Sequence, residues 1–214
     1  MSVRSLLVRE RFLYGPWVLA RRLMNRSGAA FHGRVLGWKQ SSIPLGSNIM
    51  GTKYIHVEPG FFATGRVWVE AIASYGGDTF APSIRIGRNF NATERVHISA
   101  IESIEIGNDC LFGSNIYVAD HAHGNYRQSS QFYPEESPAR RRLSPTGAVR
   151  IGDKCWVGDN VVILGGVTVG SSAVIAANSV VLNDVPPMTI VAGAPAKVVK
   201  TYDLESRQWT RILH

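Results

Sequence analysis

Residues 149–182 read VRIGDKCWVGDNVVILGGVTVGSSAVIAANSVVL, and an aliphatic residue recurs in this stretch at every sixth position. The main series is Ile151, Val157, Ile163, Val169, Ile175 and Val181. A second series, which runs two residues ahead, is Cys155, Val161, Val167, Ala173 and Ser179. Six is a multiple of the strand period of two and fits no helical face. The stretch therefore predicts short strands, each ending in a turn where a glycine relieves the backbone.

A triangular coil with three hexads to a turn buries one aliphatic side chain per hexad. The main series continues upstream at Ile86, Ala92, Ile98 and Ile104 and then, after a slip of two residues, at Ile106, Phe112 and Val118. The slip predicts one irregular coil. Aliphatic and aromatic residues also alternate with glycine over residues 36–72, without clean hexads. We therefore predict an all-β chain whose coil spans residues 36–200.

Length and composition favour one main domain around a single core, because the chain has 214 residues, of which 45% are hydrophobic and 18% charged. No apolar run is long enough to span a bilayer, and no secretory signal precedes the repeat, so we expect a cytoplasmic protein. Both cysteines, Cys110 and Cys155, fall in the second series, which predicts buried core thiols and no disulfide. The net charge of +7 suits an anionic ligand, but no aromatic and basic alternation indicates nucleic acid.

The repeat is interrupted at VADHAHG, residues 118–124, and resumes at Ile151. This interruption predicts a loop that leaves the coil at about residues 119–148, and such loops often carry the binding face of a solenoid. Asp120, His121 and His123 stand together at its root. Without a further ligand group nearby they make a weak metal site, so we expect no metal. The histidines therefore suggest either proton transfer or structural hydrogen bonding at the loop base.

The hexads and this interruption, over Ile84 to Lys200, resemble the hexapeptide-repeat acyltransferases. Within that family they are most similar to galactoside, maltose and O-antigen polysaccharide O-acetyltransferases. The resemblance implies a left-handed parallel β-helix, an acetyl-CoA co-substrate and a saccharide acceptor. It also implies a homotrimer in which one subunit supplies a histidine and its neighbour supplies the groove for pantetheine.

In these enzymes a histidine at the root of the loop is the general base. By register that histidine is His121, three residues after Val118, with His123 as the runner-up. Acetyl-CoA already carries an activated thioester, so the task left is to deprotonate a sugar hydroxyl, for which a general base is typically worth about 10² to 10⁴ in rate. Asp120 or a backbone carbonyl would fix the imidazole tautomer. Asn89 and Asn91 are similar to the asparagine that faces the acetyl group in the family.

The resemblance also implies cofactor positions in the coils from Trp156 onward. Asp159 stands where the family has a serine that contacts the cofactor, and this departure puts a side-chain contact there in doubt. Gly166 and Ala177 match small residues beside the pantetheine arm, and Asn183 matches a position at the adenine end. The nucleotide phosphates would be met by basic residues, which are Lys197 and Lys200.

Three alternative interpretations stay open. The acceptor is alternatively another small molecule, such as an amino sugar, an amino acid or an antibiotic. A zinc carbonic anhydrase would use His97, His121 and His123 as ligands. A β-helix that serves only as an assembly scaffold would not bind acetyl-CoA.

The two ends of the chain lie outside the repeat. Residues 1–35 form a basic amphipathic extension, which predicts either a cap on the first coil or contact with an anionic membrane. Residues 201–214 predict a short closing helix with Asp203 as its N-cap.

Overall fold

The computed structural model describes residues 27–124 and 135–212 of the chain. Residues 27–35 are helical and lie at the start of the coil, where the amide of Ile43 donates to the carbonyl of Ala29 over 3.0 Å. Most of the predicted N-terminal extension, residues 1–26, lies outside the described residues. In the part of the chain that is described, no helix is long and apolar enough to cross a membrane.

The coil is built from short strands that visit three faces in turn. The first turn contains β1 (Asn48–Met50), β2 (Ile55–Val57) and β3 (Phe62–Ala63). The second turn contains β4 (Val67–Ala71), the hairpin of β5 (Ser74–Tyr75) and β6 (Asp78–Thr79), β7 (Ser83–Ile86) and β8 (Asn91–Ala92). The third turn contains β9 (Val96–Ala100), β10 (Ser103–Ile106) and β11 (Leu111–Phe112). A 3-10 helix, Thr52–Tyr54, lies between β1 and β2.

The fourth turn contains β12 (Ile116–Ala119), the hairpin of β13 (His121–His123) and β14 (Leu143–Pro145), β15 (Val149–Ile151) and β16 (Trp156–Val157). The fifth turn contains β17 (Val162–Ile163), β18 (Thr168–Val169) and β19 (Val174–Ile175). The sixth turn contains β20 (Val180–Val181) and β21 (Thr189–Ala192). A second 3-10 helix, Pro138–Arg140, precedes β14. The chain ends in β22 (Lys197–Asp203) and β23 (Gln208–Arg211).

Three sheets form the faces of the coil. The first face has the order β1-β4-β9-β12-β17-β20, the second face β18-β15-β10-β7-β2, and the third face β23-β22-β21-β19-β16-β11-β8-β3. Within the coil every pairing is parallel, as in Tyr117 with Val162 and Val118 with Ile163. We call the turns from first-face to second-face strands the first corner, and those from third-face to first-face strands the third corner.

The hexad series predicted to point inward is buried. Ile151, Val157, Ile163, Val169, Ile175 and Val181 are each at most 3% exposed. In the earlier coils the interior is widened by phenylalanines, whose ring centroids lie 5.0 Å apart for Phe61 and Phe90 and 4.9 Å apart for Phe90 and Phe112. The prediction of an all-β chain of parallel strands around one aliphatic core is confirmed.

The glycines after the main series have a different role from the predicted one. Gly152, Gly158 and Gly170 do not have a positive φ, whereas Asn160 and Asn178 at the third corner do, at 58° and 61°. A Cβ atom on Gly158 would lie 2.6 Å from the amide nitrogen of Ala177 in the next coil. These glycines therefore permit close stacking of coils. The left-handed position of each turn is taken by another residue, which is Asn160 or Asn178 at the third corner and Lys154 or Ser172 after Gly152 and Gly170.

The two-residue slip lies at the first corner. Ile104 pairs with Ile84 and Val149, whereas Ile106 pairs with Ile86 and Ile151, so Ile104 belongs to the second series and not to the main one. The additional residues are therefore those between Ala100 and Ser103, where β9 turns into β10.

The predicted C-terminal helix is wrong. Residues 197–211 form an antiparallel hairpin that extends the third face, with Tyr202 opposite Trp209. Asp203 caps the turn and not a helix, because its Oδ1 accepts the amide of Ser206 over 2.6 Å and the Ser206 hydroxyl over 3.0 Å. The edge of β21 offers unpaired backbone groups to a chain rich in aromatic and β-branched residues, which favours a strand over a helix.

Candidate active site

The first corner receives extra residues in three consecutive coils. The hairpin β5–β6 lies within residues 72–82, the slip adds two residues in the next coil, and the excursion takes residues 120–148 out of the coil after that. At the root of the excursion, β13 and β14 pair antiparallel, with His121 opposite Pro145. Three successive coils thus place irregular backbone around one location, and His121 lies there.

His121 is held by the residue that precedes it. Its Nδ1 lies 3.1 Å from Oδ1 of Asp120, and the two side chains are 8% and 0% exposed. A carboxylate only accepts hydrogen bonds, so Nδ1 carries the hydrogen, and the neutral form of the ring therefore has its lone pair on Nε2. The question of which group fixes the tautomer is thereby answered in favour of Asp120.

Asp120 is itself anchored by the preceding coil. Its Oδ1 accepts the amide of Ile101 and its Oδ2 accepts the amide of Glu102, each over 2.9 Å. These two donors are the residues that the slip inserts at the first corner. The irregular coil that the sequence indicated therefore supplies the binding site for the carboxylate that orients His121.

A second carboxylate, Glu70, is connected to His121 through Ser99. Its Oε1 accepts the Ser99 hydroxyl over 2.7 Å and lies 3.1 Å from Nε2 of His97, while its Oε2 accepts the Trp68 indole N–H over 2.9 Å. Ser99 Oγ in turn lies 3.4 Å from Nε2 of His121. Partial burial would raise the pKa of Glu70, but the hydrogen bonds from His97, Ser99 and Trp68 outweigh it and hold that pKa below its usual value.

Sequence reasoning missed Glu70 and Ser99, although a signal was present. Each follows directly after an inward aliphatic residue, Val69 or Ile98, near the end of a first-face strand, and the two are paired across β4 and β9. Both are buried, at 8% and 1% exposure. Polar residues stacked in register beside a solenoid core indicate a built network, because each buried polar group needs a partner.

His123, the runner-up, lies in a different environment. It is exposed, and its ring contacts Tyr75 edge-on with centroids 5.4 Å apart. Tyr75 belongs to the β5–β6 hairpin, from which Asp78 also reaches Arg142 of the excursion over 3.3 Å. His123 is therefore part of the contact between two insertions.

Asn89 and Asn91 lie elsewhere on the same chain. Asn91 is on β8 of the third face, and Asn89 is in the turn leading to that strand, where its side-chain amide donates to Asp109 over 2.8 Å. The side-chain amide of Asn91 donates to the carbonyl of Asn89 over 2.9 Å. Within one chain these asparagines do not share the first corner with His121.

The cofactor positions implied by resemblance are exposed but divided among three locations. Gly166 and Asn183 follow β17 and β20 at the first corner, the corner that holds His121. Asp159 and Ala177 lie at the third corner, where Asp159 Oδ1 accepts the amide of Ser114 over 2.6 Å. The other three are on the third face: Trp156 on β16, and Lys197 and Lys200 on β22. One chain does not gather all of them beside His121.

A groove of about 540 Å³ runs along the second face, lined by His56, Arg85, Glu105 and Arg150 among others. His121 does not line it. This groove is therefore separate from the histidine pair at the first corner.

The two cysteines lie in the core of the coil. Cys110 and Cys155 are both 1% exposed and free, as predicted. The side chain of Cys155 and burial both raise the pKa of the Cys110 thiol, which is therefore protonated.

Over residues 27–124 and 135–212, no group of three histidine, cysteine, aspartate or glutamate side chains is placed to hold a metal ion.

Residues 148–183 match the family model for the bacterial transferase hexapeptide (six repeats). The chain is 38% identical over 123 residues to a putative lipopolysaccharide biosynthesis O-acetyl transferase, WbbJ, of Escherichia coli K12, a match that covers 58% of this chain and 63% of that protein. It is 32% identical over 136 residues to the galactoside O-acetyltransferase of the same organism, covering 62% of this chain and 60% of that protein. The matches thus span about three-fifths of these relatives.

The fold also resembles that of AntD, an N-acyltransferase from Bacillus cereus, in a structure with dTDP and 3-hydroxybutyryl-CoA. The TM-score is 0.50 at 15% identity, covering 83% of this chain and 90% of that one. At this identity the likeness concerns the fold alone. Together with the repeats, the sequence matches show that residues 148–183 carry the bacterial transferase hexapeptide pattern and that the chain is similar to acetyltransferases over about three-fifths of its length.

Proposed function

We propose that this chain is an acetyl-CoA-dependent O-acetyltransferase that acts on a sugar or a surface-polysaccharide precursor. The observation that carries the proposal is the His121–Asp120 pair, in which a fully buried carboxylate fixes Nδ1 and leaves the lone pair of Nε2 available as a base. The O-acetyltransferase relatives supply the reaction class, and the polysaccharide and galactoside relatives favour a saccharide acceptor.

In the proposed reaction, Nε2 of His121 takes the proton of an acceptor hydroxyl while its oxygen attacks the thioester carbonyl carbon. The tetrahedral intermediate then collapses, the carbon–sulfur bond breaks, and the imidazolium returns the proton to the departing thiolate. Asp120 stabilises the imidazolium through the Nδ1 hydrogen bond during both steps. No covalent acyl-enzyme is required, which agrees with the protonated and buried Cys110.

We further propose a homotrimer whose active sites lie between chains. Two observations favour this assembly. The implied cofactor positions and the implied acetyl-facing asparagines lie at different corners and faces, so one chain does not gather them beside His121. Large apolar side chains are also exposed along the third face. These are Phe62, Leu111 and Trp156, at 45%, 46% and 54% exposure. A light-scattering mass near one 23.4 kDa chain at micromolar concentration, with activity retained, would contradict the assembly.

Three expectations from the sequence remain proposals. The family resemblance favours a left-handed coil. An acetyl-CoA-using enzyme is expected in the cytoplasm. The basic segment before residue 27 would cap the first coil or contact an anionic membrane on which polysaccharide precursors are assembled.

The direct test is a screen for thiol release from acetyl-CoA with a panel of acceptors. The panel contains simple sugars, nucleotide sugars, amino sugars and amino acids. We expect release with a hydroxylated saccharide and an O-linked acetyl group in the product. Transfer only to an amine, or calorimetry that detects no acetyl-CoA binding, would overturn the proposal.

A further inference from the structure

The carboxylate of Glu70 has no role in the reaction described so far. It is 8% exposed, and in the described part of the chain its only ion-pair partner is His97, with Nε2 at 3.1 Å from Oε1. An ionised carboxylate removed from water is costly unless several donors satisfy it. Glu70 keeps three, on Trp68, His97 and Ser99, and its pKa stays below the usual value. A charged group maintained in this way beside a candidate base indicates a function.

Ser99 connects this charge to His121. Its hydroxyl donates to Glu70 over 2.7 Å, so the oxygen that lies 3.4 Å from Nε2 of His121 presents lone pairs to the ring. A neutral imidazole with its hydrogen on Nδ1 gains nothing from those lone pairs. Once Nε2 is protonated the ring carries a positive charge, which those lone pairs and the Glu70 carboxylate beyond them attract, while the N–H serves the reactants. The network therefore discriminates between the two charge states of His121.

The strand register produces this arrangement. Glu70 and Ser99 are partners across β4 and β9, and Ala119 of β12 follows Ser99 in the same column. Ala119 is a small side chain, and the same coil contributes His121 two residues further on. The column thus runs over three coils from the carboxylate to the base.

We propose that Glu70 is a positioning residue that acts through Ser99 to stabilise the protonated form of His121, the form that exists after the acceptor hydroxyl has lost its proton. His121 would then be held from both sides, by Asp120 at Nδ1 and by Ser99 and Glu70 at Nε2. This inference rests on the proposed function. It adds a contribution that is larger in the transition state than in the ground state, and only such contributions accelerate the chemical step.

Other titratable groups face the same network and enter its pH dependence. Asp120 contacts His121 directly, and His97 hydrogen-bonds Glu70 and contacts the rings of Trp68 and Tyr117. Burial and then the charges of Glu70 and Asp120 raise the pKa of Tyr117, which therefore stays neutral. Of the two carboxylates in this network, Asp120 contacts His121 directly and Glu70 reaches it through Ser99, so the two can be tested by separate substitutions.

The test compares Glu70→Gln with Glu58→Gln. Glu58 is a matched control, because it is an exposed carboxylate whose Oε1 lies 3.0 Å from Nε2 of His56, and it follows the second-face strand β2. Histidine-labelled protein is titrated by NMR, with the His121 resonance assigned by its loss in His121→Ala. We expect the midpoint of His121 protonation to fall by about one pH unit in Glu70→Gln and to be unchanged in Glu58→Gln.

Activity gives a second readout. In Glu70→Gln the acidic limb of the turnover profile should move to lower pH, and kcat should fall about tenfold with little change in the KM for acetyl-CoA. Ser99→Ala should have the same two effects, and it decides the matter if Glu70→Gln does not fold. Equal midpoints in wild type and Ser99→Ala would overturn the inference. If the wild type acetylates no acceptor, the proposed function fails, yet the NMR midpoints still test the coupling of Glu70 to His121.

Discussion

Nδ1 of His121 lies 3.1 Å from Oδ1 of Asp120, a carboxylate with no exposed surface. The same oxygen accepts the amide of Ile101, and the second oxygen accepts the amide of Glu102. The imidazole is therefore attached to a carboxylate that the neighbouring coil already holds in place. Such a fixed arrangement requires little reorganisation when charge develops on the ring.

The Asp120→Asn variant should lose both activity and stability. An amide has one acceptor oxygen, so one of the two backbone donors would face an NH₂ group, at a cost of about 1–3 kcal/mol. The substitution also removes the charge that stabilises an imidazolium, and it permits the other tautomer. We expect turnover to fall about 10²- to 10⁴-fold. Thermal melts and thiol-release assays measure the two effects.

The control for this variant is Asp153→Asn. Asp153 also accepts a backbone amide from the neighbouring coil, that of Asn108 over 2.7 Å, but it lies away from the first corner. The Asp153→Asn enzyme should lose some thermal stability and keep its turnover. A fully active Asp120→Asn enzyme would show that Asp120 does not orient the base.

The coil register is tested by placing a carboxylate inside or outside. Ile163 has no exposed surface, and its neighbour Val162 on the same strand is only partly buried. Ile163→Asp should abolish folding, because an unpaired charge stacked in the core costs several kcal/mol. Val162→Asp should melt closer to wild type. Equal melting temperatures for the two variants would contradict the register.

The hexads predicted the parallel coil because a period of six, with one inward side chain, admits few other arrangements. The interruption predicted where the candidate site lies, because His121 and Asp120 stand at its root. Glu70 and Ser99 were missed because their relation depends on which residues become partners across β4 and β9, and the hexad series, which includes Ile98, does not extend back to β4. Residues 201–211 were misread because an unpaired sheet edge, which the sequence does not show, decided between helix and strand.

Acid should selectively remove the stability that Glu70 provides. Its pKa in the folded chain lies below its usual value of 4.5, so its contribution is complete above that pH and is lost as the pH falls through the lower folded value. The difference in melting temperature between wild type and Glu70→Gln should therefore shrink as the pH is lowered below about 4.5. A difference that stays constant from pH 7 to pH 3 would mean that Glu70 is not held ionised by its three donors.

The two histidines of the loop root should differ in their importance. His123→Ala should reduce turnover only modestly. The His123 ring packs on Tyr75, so its loss would change the position of the excursion but would not remove the base. A larger loss in His123→Ala than in His121→Ala would assign the base to His123.

The most direct measurement is the turnover of His121→Ala in thiol release from acetyl-CoA, with the acceptor that the wild-type enzyme acetylates. We expect a fall of about 10²- to 10⁴-fold. Circular dichroism, oligomer mass and acetyl-CoA affinity should stay near wild type, because His121 occupies no hexad core position. If His121→Ala keeps most of the wild-type turnover, His121 is not the general base and the proposed acetyl-transfer mechanism is wrong.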